Sequence, residues 1–178
     1  HKAMEVIDEA LALAPGLAEF HVLKGDVLSK LEQPEAAESC YGRALALDPA
    51  SAQAHSSRGR VLAELGRRPE AAASYEKALA LDPALAGAHL GLSRLRRYAA
   101  GDPHIATMQR VLGTAPLTDI GRCEISFALA KALEDSGDLA ASFDVLRRAN
   151  ALRKAVLGYR PKDDAELFAR LTAAAPGL

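Results

Sequence analysis

The chain has 178 residues, a formal net charge of −1 and no tryptophan, and hydrophobic residues make up 49% of it. That length fits one domain or one elongated array, and the near-zero charge argues against bulk attraction to nucleic acid or to an anionic membrane. Alanine and leucine dominate the apolar residues, and because both are strong helix formers the composition predicts an all-α protein.

A period of 34 residues runs through the first half of the chain. Pro15, Pro49 and Pro83 are 34 residues apart, and each follows the segment Leu-Ala-Leu plus one residue. Short helices that recur at such a period bury their apolar stripes only against neighbouring units, so the pattern predicts a stack of helix hairpins. The same interval separates further matched residues, namely His21, His55 and His89, Gly25 and Gly59, Ala37 and Ala71, and Tyr41 and Tyr75.

Residues 18–51 and 52–85 resemble the tetratricopeptide repeat, which combines this length with a glycine, an Ala-x-x-x-aromatic step and a closing proline. The second unit carries these features as Gly59, Ala71, Tyr75 and Pro83. The resemblance implies an all-α, right-handed α-solenoid of antiparallel helix hairpins with about ten helices.

The remaining segments extend this array at both ends. Residues 1–17 are predicted to be the second helix of a repeat whose first helix is missing. Residues 86–122 are predicted to be a degenerate repeat and linker, in which helix 105–112 is the expected partner of the helix before it. Residues 123–157 resume the repeat-like spacing, and residues 158–178 are predicted as a capping helix and tail. The capping helix, 163–174, carries Leu167, Phe168 and Leu171 on one side, with Asp163 or Asp164 at its start.

The stretch 127–154, followed by Tyr159, Pro161 and residues 165–171, is similar to the linker end of bacterial tetratricopeptide–sulfotransferase proteins. In that family a repeat array precedes the catalytic domain, so the resemblance implies a sulfotransferase domain beyond Leu178. The sequence itself holds no Gly-rich, Ser/Thr-containing loop of the kind that cradles donor phosphates on backbone N–H groups.

The sequence offers no arrangement suited to catalysis or to a metal. Zinc ligands lie about 2.0–2.1 Å from one ion, whereas stacked helices are roughly 8–10 Å apart. His21, His55 and His89 therefore cannot share an ion, and we expect them to fill bulky core positions. The sequence contains no HExxH, CxxC or phosphate-loop motif, so we predict a non-catalytic chain without a cofactor. Cys40 and Cys123 lack metal-type spacing and are expected to be free thiols in the cytoplasm.

The resemblance implies a binding groove, because the first helix of each hairpin lines the concave side of a tetratricopeptide array. The middle of this surface is basic with apolar neighbours, which suits a protein or peptide with acidic and apolar side chains. The alternative is a solvated polar face without a ligand. Asp26 would repel a terminal carboxylate, which disfavours the carboxylate clamp of chaperone-tail-binding members. The candidate groove residues are Val22, Asp26, Ser56, Arg60, Leu90, Arg94, Arg97, Phe127 and Lys131.

A basic segment lies near the end of the chain, because residues 145–162 contain six cations and no acid. It is predicted either to dock an acidic surface, such as a following domain, or to complement the dipole of its own helix. Three functions stay open: a groove-binding scaffold, the front of a sulfotransferase, and a module that is either monomeric or self-associates end to end. No nucleic-acid or membrane partner is expected. The candidate docking residues are Arg147, Arg148, Arg153, Lys154, Arg160 and Lys162.

Overall fold

The computed structural model describes residues 2–158 and Arg170, with side chains from Met4 onwards. Within this part of the chain there are nine α-helices and no strand, which confirms the predicted all-α fold. The predicted capping helix at 163–174 lies outside the described residues. The helices are α1 Lys2–Leu13, α2 Ala18–Lys30, α3 Pro34–Leu47, α4 Ala52–Glu64, α5 Arg68–Leu81, α6 Ala86–Leu95, α7 Pro103–Thr114, α8 Asp119–Asp135 and α9 Leu139–Val156.

The helices pack as hairpins that stack on one another. α2 with α3, α4 with α5, and α8 with α9 form close pairs, while α4 stacks on α3 and α6 stacks on α5. Tyr75 fills the space between two successive first helices. A Cβ atom on Gly59 would lie 3.0 Å from the Tyr75 ring, and one on Gly91 would lie 2.2 Å from its Cζ atom. Glycine at both positions therefore allows α4 and α6 to approach the ring.

The three periodic histidines have a common role at the start of each unit. The Nε2 atoms of His21, His55 and His89 lie 3.2, 3.1 and 2.8 Å from the carbonyl oxygen of the proline six residues earlier. His89 is fully buried and His21 nearly so, which confirms the expected core position for these two, whereas His55 is half-buried. Each histidine therefore ties the first helix of a unit to the turn that precedes it.

The third unit departs from the hairpin pattern. α6 ends at Leu95, because Arg96 adopts an extended conformation with φ −130° and ψ 161°. Its last carbonyl oxygens are not left bare, since the Arg68 guanidinium donates to those of Arg94 and Leu95. The expectation that helix 105–112 pairs with α6 is wrong: the corresponding α7 packs on α8, and α8 takes the place beside α6.

The core is continuous across this irregular unit. Tyr98, which lies in the extended segment after α6, is buried among side chains of α7 and α8, including Met108 and Ile125. This aromatic residue therefore seals the gap that the short α6 leaves. Across the described helices, none combines the length and the apolar content that a bilayer span requires.

Candidate peptide-binding groove

The first helices of the hairpins form a continuous row. α2 contacts α4, α4 contacts α6, and α6 contacts α8. Eight of the nine candidate groove residues lie on these four helices. Arg97 is the exception, because it lies in the extended segment after α6 rather than on a helix as expected.

At the α2 end of the row, the candidate charges already have partners within the protein. Asp26 accepts a 2.6 Å hydrogen bond from the Tyr41 hydroxyl, and burial together with this carboxylate raises the pKa of Tyr41. Arg60 donates to Ser29 Oγ at 2.7 Å and to Glu64 at 3.1 Å, so it bridges α4 to α2. The candidates Val22 and Ser56 are half-buried and buried, respectively. Consequently this end presents little unpaired charge.

The α6 region is different, because its cations are exposed. The guanidinium groups of Arg94 and Arg97 are exposed, and neither forms a hydrogen bond or ion pair within the described part of the chain. Leu90, one turn before Arg94, is half-buried and adds apolar surface. The structure thus places two available cations beside an apolar side chain.

On α8, the candidate residues have neighbours that the sequence did not reveal. Lys131 donates to the Arg96 carbonyl oxygen and to Asp135, and its Nζ lies 5.2 Å from the centre of the Tyr98 ring. The hydrogen bond from Lys131 is the main cause that lowers the pKa of Asp135. Lys131 therefore anchors the segment after α6 to α8, so its charge is shared with the protein.

Phe127 is half-buried on α8, and its ring lies 5.9 Å from the Arg153 guanidinium of α9. A candidate groove residue and a candidate docking residue are therefore neighbours. The rest of the basic segment is divided. Arg147 and Arg148 each pair with Asp144 at 3.4 Å, an acid just outside the window considered in the sequence. Lys154 is exposed, and the candidates Arg160 and Lys162 lie outside the described residues.

A buried hydrogen-bonded chain lies behind the α6 region. Tyr98 Oη is 2.9 Å from His104 Nδ1, His104 Nε2 is 2.7 Å from His89 Nδ1, and His89 Nε2 is 2.8 Å from the Pro83 carbonyl oxygen. That carbonyl can only accept, so His89 donates from Nε2, His104 donates to His89, and Tyr98 donates to His104. The chain needs both imidazoles to be neutral in this tautomer.

Burial and the neighbouring charges favour those neutral forms. Burial, with His89 and Arg96 nearby, lowers the pKa of His104 to about 4, and burial lowers the pKa of His89. Sequence reasoning missed this cluster because His104 and Tyr98 fall outside the 34-residue pattern. The one available signal was that His89 recurs in a core position.

The described residues offer no metal centre, since no group of three His, Cys, Asp or Glu side chains among them converges. Within the histidine chain all four ring nitrogens are already engaged. Cys40 and Cys123 are free thiols, and Cys123 is buried with its Sγ 3.8 Å from the Ala149 carbonyl oxygen.

Stacked helix hairpins with an open row of first helices define a helical-repeat scaffold. Comparison with known proteins gives the family, because residues 22–86 match the model described as tetratricopeptide repeat. The TPR domain of Arabidopsis OM64 is 30% identical with a TM-score of 0.52, and the match covers 53% of this chain and 78% of that domain. This chain belongs to the tetratricopeptide repeat family, whose fold is typically non-catalytic and serves protein–protein interaction.

Solved structures of low identity share the fold over most of the chain. A crystal structure of MamA has a TM-score of 0.64 at 18% identity, covering 88% of this chain and 90% of that one. MamA from Desulfovibrio magneticus RS-1, from residue 41 to its end, has a TM-score of 0.62 at 19% identity, covering 86% and 85%. The search of curated proteins found no match.

Proposed function

We propose that this chain is a non-catalytic scaffold that binds an extended, acidic and apolar segment of a partner protein along the first helices α4, α6 and α8. The observation that carries the proposal is the pair of exposed, unpartnered guanidinium groups of Arg94 and Arg97 beside Leu90. Because the family fold serves protein–protein interaction, an open row of helices with available cations suits a peptide better than a small molecule.

The distribution of charge indicates where the partner's acids would lie. Arg60 and Lys131 are neutralised by Glu64 and Asp135, so they attract a ligand less than Arg94 and Arg97 do. Exposed ion pairs contribute only about 0–1 kcal/mol each, so the cations contribute selectivity and association rate more than affinity. Affinity would come from apolar side chains packing on Leu90 and Phe127.

The acid at the α2 end supports an internal segment as the ligand. Asp26 keeps its negative charge within the row, where it would oppose a terminal carboxylate. A chain that runs through the groove places its own carboxylates at Arg94 and Arg97 and leaves the Asp26 region to neutral or basic side chains.

The proposal is tested with a fluorescein-labelled peptide that alternates leucine and glutamate, compared with a leucine–lysine peptide of equal length. We expect the acidic peptide to bind more tightly, and Arg94→Glu with Arg97→Glu to weaken it at least about tenfold. The matched control is Arg110→Glu with Lys77→Glu, which reverses two exposed charges outside the row. Equal binding by both double variants would exclude the groove.

A second function is supported by the likeness of residues 127–154 to the linker end of sulfotransferase-containing proteins. In that case the array positions an acceptor or docks the catalytic domain, and the parent protein, rather than this chain, performs sulfate transfer. Reading the parent gene beyond Leu178 for a strand followed by a Gly-rich Ser/Thr loop decides this. Light scattering over a range of concentrations tests the third function, end-to-end self-association.

The unit boundaries at 1–17, 18–51, 52–85, 86–122 and 123–157 are part of this proposal, as is a cytoplasmic location. They are supported by the helix pairs α2–α3 and α4–α5, and by the free state of both cysteines. Free thiols are typical of a reducing compartment.

A further inference from the structure

We propose that residues 160–174 form a helix that packs antiparallel on α9 and covers its exposed apolar face, which makes α9 the first helix of a further hairpin. This interaction surface is separate from the groove and does not depend on its function. It is argued from the turn that ends α9, from a recurring sequence, and from the side chains that α9 leaves uncovered.

The turn at the end of α9 has the geometry that joins the two helices of each close hairpin. In all three hairpins a residue of positive φ follows the helix and donates its N–H to the carbonyl three residues earlier at 3.1 Å. Gly158 does the same, with φ 62° and a 3.1 Å bond to Ala155. The equivalent residues are Glu32 at φ 56°, Gly66 at φ 75° and Gly137 at φ 90°.

Connections from one hairpin to the next are built differently. α3 and α5 end at Asp48 and Asp82, which are extended with φ −132° and −133° and precede a proline. α9 instead ends at Leu157 in a helical conformation, with φ −79° and ψ −5°. The backbone at the end of α9 therefore reverses the chain as it does within a hairpin, and does not redirect it as between hairpins.

The sequence at this turn repeats one whose outcome is known. Leu-Gly-x-Arg-Pro occurs at 65–69 and again at 157–161. At the first occurrence it forms the turn between α4 and α5, and α5 begins at its arginine, Arg68. In the same register Ala151 corresponds to Gly59, Asp163 to Ala71, and Leu167 to Tyr75. Small residues thus recur on the helix before the turn, and a bulky apolar residue on the segment after it.

α9 has an apolar face that no described helix covers. Phe143 and Leu157 are each 68% exposed, and Leu146 is 38% exposed. Leu146 occupies the slot of Tyr41 and Tyr75, which are 0% and 4% exposed in their units because following helices pack on them. An open groove of about 400 Å³ runs along this face beside Asn150 and Ala151. The array therefore lacks one helix at this position.

The segment after the turn fits this face in length, apolar pattern and charge. A helix of 15 residues would be about 22 Å long, enough to run from Gly158 back to Phe143. Its acidic first turn would meet the basic last turn of α9 at Arg153. Since the turn leaves only Tyr159 as a free linker, packing on its own α9 is strongly favoured over another copy by effective concentration. The apolar stripe comprises Leu167, Phe168 and Leu171, and the acids are Asp163, Asp164 and Glu166.

Disulfide trapping tests this arrangement in the full chain with Cys40→Ser and Cys123→Ala. The test pair is Ala151→Cys with Asp163→Cys, because their counterparts in the α8–α9 hairpin touch: Ser142 Oγ donates to the Ala130 carbonyl oxygen at 2.7 Å. The control pair is Arg148→Cys with Asp163→Cys, since Arg148 lines the groove beside Leu112 on another side of α9. We expect an intrachain cross-link from the test pair and little from the control pair.

Two other outcomes would overturn the proposal. An interchain cross-link at Ala151→Cys would mean that a second copy covers α9, and equal cross-linking by both pairs would mean that the segment has no fixed place. A measurement without cross-linking supports the same decision. Maleimide should label the single variant Ala151→Cys at least about tenfold more slowly than Arg148→Cys, and adding Leu167→Asp should remove the difference. Circular dichroism confirms that each variant keeps its helix content.

Discussion

Tyr75 and Gly91 give the sharpest test of how the hairpins stack. The Tyr75 ring is 4% exposed and lies where a Cβ atom on Gly91 would approach its Cζ to 2.2 Å. Gly91→Ala therefore forces the ring to move and should destabilise the protein by about 1–3 kcal/mol. Tyr75→Ala removes the ring, leaves a cavity between α4 and α6, and should cost roughly 3–5 kcal/mol.

The informative quantity is the coupling between these two substitutions. Once the ring is gone, the added methyl group at position 91 has no clash and replaces glycine within a helix, where alanine is favoured by roughly 0.5–1 kcal/mol. Gly91→Ala should thus change sign, from destabilising in the natural sequence to neutral or stabilising beside Tyr75→Ala. Such a reversal corresponds to a coupling energy of about 1.5–3 kcal/mol or more.

Urea unfolding followed by far-UV circular dichroism measures all four members of the cycle. Tyr75→Phe is the matched control, because it keeps the ring and should cost little. Gly16→Ala controls for alanine substitution itself, since no atom lies within 4 Å of a Cβ built there. Additive effects of Gly91→Ala and Tyr75→Ala would refute the stacking of α6 on α4 through this ring.

Two further predictions concern the histidine chain and the hairpin turn. Because burial lowers the pKa of His104 from 6.5 to about 4, its stabilising effect is complete above pH 6.5 and is lost as the pH falls towards 4. The free energy of unfolding should drop by up to about 3 kcal/mol over that window, and the drop should shrink in His104→Gln; identical pH profiles would contradict the assignment, with Asp82 and Asp102 as the neighbouring acids. Gly66→Ala, at φ 75°, should cost about 1–2 kcal/mol through backbone strain, while a thermal melt unchanged from the natural sequence would show that the turn relaxes.

Much of the fold follows from features that are local in the chain. The recurrence of Gly59, Ala71 and Tyr75 at fixed spacing places a gap, a small contact and a ring on successive helices, and the structure has them in those places. The departure of the third unit was also visible in part, because the repeat pattern weakens after Pro83. Its consequence was not, since α6 stops at Leu95 and α8 rather than α7 packs beside it.

The candidate groove was predictable only as a set of positions. Periodicity places Arg60, Arg94 and Lys131 on first helices, but it carries no information on which cation meets an acid from another element. Arg60 reaches Ser29 on α2, whereas Lys131 holds the carbonyl oxygen of Arg96. Arg94 stays unpaired because no acid of a neighbouring helix reaches it.

By itself, the sequence determined the helical class, the period of the units and the core slots of His21, His89 and Tyr75, since helix propensity and side-chain spacing are properties of adjacent residues. The tertiary structure alone decided the chain from Tyr98 through His104 to His89, the close approach of Gly91 to Tyr75, and the division of the basic residues. Each of these depends on distances between segments whose separation along the chain has no fixed relation to their separation in space.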